Sequence, residues 1–232
     1  MSVAERLELV RREINEACRQ AGRDPSEVRL LPVSKTHPAQ VLREGVSAGI
    51  TQFGENRVQE LDAKRSELAD PDVKWSLIGP LQSNKANKTA EIADEFQALS
   101  TEKVARILNR RLEELDKYLD VLIEVNTSGE DTKHGLTPSQ TVEFAQLVTT
   151  FPRLRPRGLM TVALPGPDWD KVGECFEMMR KLQTDLRREI PQIDWRELSM
   201  GMSGDFKLAI LYGSTCVRIG TAIFGARDYE SK

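Results

Sequence analysis

The 232-residue chain is poor in cysteine and histidine, has no long apolar run and carries only a small excess of acidic charge. Cys18, Cys175 and Cys216 are odd in number, far apart and without CxxC spacing, which supports neither a disulfide framework nor a cysteine zinc site. A reducing compartment is expected. With only His37 and His134, a histidine-rich metal site is excluded and little remains for a Ser-His-Asp or Cys-His nucleophile, so no metal is expected. No apolar stretch approaches the roughly 20 residues that span a bilayer. The first 22 residues carry charges throughout, unlike the apolar core of a leader peptide, so the expectation is a cytoplasmic protein without membrane contact. The 33 Lys and Arg against 36 Asp and Glu give a net charge of -3 and argue against a nucleic-acid binder.

What is present belongs to a folded chain: 39% apolar and 30% charged residues, with 15 Gly and 11 Pro. Val3, Leu7, Val10, Ile14, Ala17 and Ala21 recur at alternating spacings of four and three, the stripe of an amphipathic helix. After Gly22 and Pro25 the pattern becomes strand, loop, helix. Apolar strands are expected at 28–34, 51–54, 75–78, 96–99, 120–125, 159–162, 197–200 and 216–219. Helices are expected at 56–69, 84–93, 102–115, 168–189 and 205–212, and another opens at the capping box Thr137-Pro138-Ser139-Gln140. Eight such units in residues 1–232 predict one domain, a single (β/α)8 TIM barrel with an extra N-terminal helix. An open doubly wound sheet is the alternative, but Ser34-Lys35-Thr36-His37-Pro38 stands where its glycine fingerprint belongs. Pro32 counts slightly against a central first strand.

In a barrel the chemistry sits at the C-terminal ends of the strands, with phosphate often held after strands seven and eight. Met200-Gly201-Met202-Ser203-Gly204 and Gly220-Thr221-Ala222 occupy those places. They fit a phosphate clamp, or simply tight turns. Lys35 shares a register with Leu31 and Val33, so it reads either as an amine that attacks an aldehyde or as a rim lysine reaching water. Arg218 shares a face with Cys216 and Gly220; it either pairs with an acid such as Glu124 or donates to a ligand. Asn56 is a ligand contact or a helix cap.

Six blocks narrow these choices: VSKT at 33–36, FGENRVQE at 53–60, IGPLQSNK at 78–85, RGLM at 157–160, SMGMSGD at 199–205 and VRIGTAIFGARDY at 217–229. In this order they resemble the YggS/PROSC family of pyridoxal phosphate homeostasis proteins, whose barrel is similar to the N-terminal domain of alanine racemase. The resemblance implies that pyridoxal 5′-phosphate (PLP) forms a Schiff base with Lys35. It implies that Ser203, Gly220 and Thr221 hold the phosphate, that Arg218 faces the pyridine nitrogen and that Asn56 adds an amide contact. Ser76 departs from the family's usual His after tryptophan.

Arginine at the ring nitrogen disfavours a pyridinium and makes the ring a weaker electron sink. Racemases similar to this barrel also have a C-terminal domain supplying a tyrosine acid or base, which is not expected within these 232 residues. Tyr118, Tyr212 and Tyr229 are no obvious replacement. The expected function is a monomeric PLP carrier and buffer that maintains vitamin B6 and amino-acid homeostasis, exchanging PLP with PLP-dependent apoenzymes and having no catalytic residue. The alternatives are a racemase-like PLP enzyme acting on amino acids and a class I aldolase-like enzyme using Lys35 on a sugar phosphate.

Overall fold

The computed structural model of the chain describes residues 1–130, 133–164 and 166–225. Its strands are β1 (Arg29–Pro32), β2 (Gln52–Glu55), β3 (Lys74–Leu77), β4 (Glu95–Leu99), β5 (Leu119–Glu124), β6 (Leu154–Met160), β7 (Glu197–Ser199) and β8 (Cys216–Ile219). Helix α1 (Val3–Gln20) precedes them. Between and after the strands lie α2 (Ala39–Ser47), α3 (Val58–Leu68), α4 (Ala86–Ile92), α5 (Glu102–Glu114), α6 (Thr141–Val148), α7 (Trp169–Glu189), α8 (Phe206–Leu211) and α9 (Thr221–Phe224). Every paired strand is parallel, in the order β1-β8-β7-β6-β5-β4-β3-β2. This is the expected (β/α)8 barrel with its additional N-terminal helix.

Helix α1 begins with a reciprocal cap: Ser2 Oγ accepts from the Glu5 backbone N–H at 3.2 Å, and Glu5 Oε2 accepts from the Ser2 N–H at 2.8 Å. Its apolar stripe is buried, and the helix packs on α8 and α9. Outward faces of the strands carry Phe53, Trp75, Phe96, Val121, Ile123, Val217 and Ile219, all buried in the layer shared with the helices. Each side chain of this kind contributes about 1.5–3 kcal/mol when fully buried.

The inward faces differ from the branched apolar layers usual in such barrels. Arg29 on β1 reaches Glu95 on β4 at 2.5 Å and Glu197 on β7 at 2.8 Å. These strands are not all neighbours, so the contacts cross the interior. Gln97 and Ser199 also meet across it, the Ser199 hydroxyl donating to Gln97 Oε1 at 2.7 Å.

Closure of the barrel is uneven. Strand β1 pairs with β8 along its whole length but reaches β2 through the single bridge Val33 to Gly54. Val33 donates to Ile219 and Ser34 to Gly54, so the alternation points the donor that Pro32 lacks toward β2. Pro32 therefore does lie in a strand, at the seam where its missing N–H is tolerated.

Most element ends lie within a residue or two of the sequence expectation, α2 was not foreseen, and three differences bear on the site or its supports. The first strand ends at Pro32, which leaves Lys35 in the following loop. Strand β6 begins five residues early, because Arg155, Pro156 and Arg157 interrupt the apolar signal. The capping box at Thr137 starts a 3-10 turn (Pro138–Gln140) that leads into α6. Among the described residues, no helix is long and apolar enough to cross a membrane, and no cluster of His, Cys, Asp and Glu could hold a metal. The three cysteines are buried and free.

Candidate functional site

A cavity of about 540 Å³ opens at the C-terminal ends of the strands. All six site residues expected from the sequence, Lys35, Asn56, Ser203, Arg218, Gly220 and Thr221, line it. Four strands or their following loops, β1, β2, β7 and β8, thus converge on one space.

The loops after β7 and β8 form one wall. Gly201 adopts φ +97°, and a Cβ there would lie 2.7 Å from Ala209 Cβ, so the turn into α8 needs glycine. Asp205 Oδ1 accepts the Met202 N–H at 2.5 Å and fixes this turn. In the other loop, the Gly220 carbonyl accepts from Ile223 and Phe224 at 2.9 and 3.0 Å. A Cβ on Gly220 would stand 2.8 Å from the Val33 carbonyl oxygen, so the loop passes directly against the end of β1. Among the described residues, the backbone N–H groups of Ser203, Gly204, Thr221 and Ala222 have no hydrogen-bond acceptor. Two loops therefore present four free N–H donors, with the Ser203 and Thr221 hydroxyls beside them. That donor set suits an anion with several oxygens.

Arg218 forms part of the floor and is 4% exposed. One terminal nitrogen donates to Ser199 Oγ at 2.7 Å and the other to the Thr161 carbonyl oxygen at 2.8 Å. Burial pulls the guanidinium below its ordinary value, although it stays charged at neutral pH. Among the described residues it has no ion-pair partner, so the expected alternative of a Glu124 pair does not form. Glu124 instead lines the cavity at the end of β5, buried, with Oε2 unpartnered. Burial pushes its carboxyl up to about 7, against the downward pull of the Arg218 charge.

Lys35 sits half-buried in the loop after β1, the strand that pairs with β8. Asn56 does not cap a helix: Arg57 occupies the cap position of α3, and no side chain caps that end. Ser76 lies below the cavity, where its hydroxyl donates to Glu95 Oε2 at 2.6 Å and accepts from Gln52 at 2.7 Å. It serves the interior network. Tyr118 is exposed at the start of β5, stacked against Arg153 and Arg155, and Tyr212 packs on Phe176 beneath α7. Neither lines the cavity, and Tyr229 falls outside the described residues.

The sequence reading missed Ser199 and Thr161, which hold Arg218, and treated Glu124 only as a pairing acid. A charged residue at an inward register of the apolar run DVLIEV was the available signal for Glu124. Nothing local marks Ser199 or Thr161, whose importance arises from contacts between strands.

The family model described as alanine racemase, N-terminal domain, matches residues 6–228. A pyridoxal phosphate homeostasis protein from Vibrio alginolyticus is 43% identical over 233 residues, covering 99% of each chain. PipY from Synechococcus elongatus, solved with PLP bound, superposes with a TM-score of 0.86 at 36% identity, covering 97% of this chain and 100% of its own. An alanine racemase from Clostridium difficile shares the fold at a TM-score of 0.76 and 11% identity, with 99% of this chain covering 58% of that one. Near-complete overlap with the homeostasis proteins, against a partial and distant match to the racemase, places the barrel within its family: the chain belongs to the pyridoxal phosphate homeostasis proteins, in the wider alanine racemase N-terminal domain family.

Proposed function

We propose that the chain binds PLP at the barrel mouth and acts as a carrier and buffer that exchanges it with PLP-dependent apoenzymes. The observation that carries the reading is the set of four unpartnered N–H groups, three of them on residues (Ser203, Gly204 and Thr221) that line the same cavity as Lys35. A phosphate and an aldehyde on one small ring would satisfy both. PLP supplies an aldehyde that condenses with an amine and a ring that withdraws electrons from the carbon atoms attached through it. Lys35 provides that amine. Ser203, Gly204, Thr221 and Ala222 hold the phosphate through N–H groups and hydroxyls, Gly220 keeps their loop close to β1, and Asn56 contributes an amide from the β2 side. Arg218 faces the pyridine nitrogen as a fixed cation, which keeps a proton off that atom. A binding site built this way retains the cofactor while restraining its reactivity.

A racemase-like activity is favoured by one observation. Glu124 is an unpartnered cavity carboxyl pushed to about 7, where it could exchange a proton near neutral pH. Borohydride reduction of PLP-saturated protein, followed by peptide mass analysis, tests the binding site: the adduct is expected on Lys35, and Lys35→Ala should lose it while staying folded. An adduct elsewhere would sink the assignment. Measurement of α-proton exchange across a panel of amino acids separates carrier from enzyme, since sustained turnover by the wild type would overturn the carrier role.

A further inference from the structure

The residues on either side of Lys35 are gripped by one charged cluster. Lys64 Nζ, on α3, donates to the Ser34 carbonyl oxygen at 2.7 Å, to Glu55 Oε1 at 2.7 Å and to Glu60 Oε1 at 2.6 Å. Glu55 Oε1 also accepts from the Ser34 hydroxyl at 2.6 Å, and Glu60 Oε1 accepts the Thr36 backbone N–H. The Lys64 side chain is 8% exposed and that of Glu55 0%. Burial pushes the Glu55 carboxyl up to about 7 despite the opposing pull of Lys64 and Ser34.

Such a cluster is an inefficient way to pack β2 against α3, because desolvating charges opposes their attraction and apolar side chains of similar volume do as well. The backbone it holds offers a reason for it. Thr36 has φ +69°, in the left-handed region that a β-branched residue strongly disfavours. Strain of this kind persists only where neighbouring contacts over-determine it, and it gathers at functional sites. Here the Ser34 carbonyl receives Lys64 and also the His37 N–H at 3.1 Å, while the Thr36 N–H is taken by Glu60. Both flanks of Lys35 are therefore fixed. Glu55, Glu60 and Lys64 do not themselves line the cavity.

We propose that Glu60, Lys64 and Glu55 are positioning residues for Lys35, holding the strained Ser34–Thr36 turn that presents its amine to the cavity. The inference rests on the PLP reading above. In the reaction it serves, the neutral amine adds to the aldehyde carbon and one water leaves as C=N replaces C=O. Only a ligand with an aldehyde needs that geometry, so an otherwise identical alcohol, pyridoxine 5′-phosphate, does not report it.

The test uses the full chain and both ligands, read by absorbance titration and by the borohydride-fixed mass on Lys35. Glu60 is the variant position of choice because its side chain is 24% exposed and removing it leaves no large apolar hole. Glu60→Leu should weaken PLP roughly tenfold to a hundredfold, the scale of releasing one strained residue. Pyridoxine 5′-phosphate should bind within about twofold of wild type, since the phosphate donors are untouched. Glu60→Gln keeps an acceptor oxygen for the Thr36 N–H and should restore the PLP titration. Thr36→Gly added to Glu60→Leu should recover most of the loss, because glycine adopts this φ without a steric penalty. Unchanged PLP binding by Glu60→Leu, or equal weakening of both ligands, would overturn the positioning role and leave the cofactor reading standing. A wild type that binds pyridoxine 5′-phosphate yet forms no reducible adduct on Lys35 would overturn the lysine assignment and this inference with it.

Discussion

Arg218 donates to Ser199 Oγ at 2.7 Å, and the same hydroxyl donates to Gln97 Oε1, also at 2.7 Å. Gln97 in turn donates to Glu95 Oε2 at 2.8 Å, and Glu95 is paired with Arg29. The guanidinium in the cavity floor is thus fixed from beneath by a chain of buried polar groups reaching the far end of the barrel. Ser199→Ala should remove the central hydroxyl and leave buried donors and acceptors unpaired, at about 1–3 kcal/mol. A thermal melt should show a loss of several degrees, at roughly 2–4 °C per kcal/mol for a chain of this size. A melt indistinguishable from wild type would mean that the chain of hydrogen bonds contributes nothing to stability.

Replacing Arg218 separates binding from reactivity. Arg218→Glu can accept a pyridine-nitrogen proton and strengthen the ring as an electron sink, so α-proton exchange or transamination of added amino acids should rise above wild type. Arg218→Lys keeps the charge without the planar fork and should retain low reactivity even with weaker binding. An Arg218→Glu protein that binds PLP with unchanged spectrum and reactivity would remove Arg218 from the ring nitrogen.

The phosphate wall predicts discrimination between two vitamers. Ser203→Ala and Thr221→Ala each delete a hydroxyl donor, and hydrogen bonds to charged groups contribute about 1.5–3 kcal/mol. PLP affinity should therefore fall by about tenfold or more in each variant, whereas pyridoxal, which has no phosphate, should be little affected. Equal losses for both ligands in parallel titrations would put the phosphate elsewhere.

Glu124 gives the ligand-free protein a defined pH dependence. Burial raises its folded-state value to about 7 from the ordinary 4.5, so the folded chain holds this proton more tightly than the unfolded one. The stabilising contribution is fully present below about pH 4.5, declines as pH rises and is lost above about 7. At roughly 1.4 kcal/mol per unit, the change is on the order of 3–4 kcal/mol. Glu124→Gln should raise the melting temperature relative to wild type by more at pH 8 than at pH 5. A difference independent of pH would show that the carboxyl stays ionised, or stays neutral, throughout.

The barrel was legible because strands such as DVLIEV and VRIG have helix-facing residues that read as apolar runs between glycine and polar stops. Where inward polar residues or proline break those runs, as at Arg155, Pro156 and Arg157, the boundary was lost. That Lys35, Arg218, Ser203 and Thr221 share the cavity was legible because a charge, hydroxyl or glycine stands out at the end of a strand. Ser199, Thr161, Glu60 and Lys64 were not: each is an ordinary polar residue in its own segment and gains its role from a partner on another element.

The unequal pairing of β1 bears on how the protein is made. The strand preceding Lys35 leaves the ribosome early, yet the partner that matches it residue for residue is β8, near the end of the chain. Contacts between such distant segments must overcome a large loop-closure entropy and form slowly. At roughly 5–20 residues per second, the lysine waits about 10–40 s before Cys216–Ile219 is synthesised. Arg218 and the Gly220-Thr221 loop arrive on that same last strand. In the proposed site, cofactor capture is thereby tied to the synthesis of β8: a product stalled before it carries Lys35 without Arg218 and the Gly220-Thr221 loop.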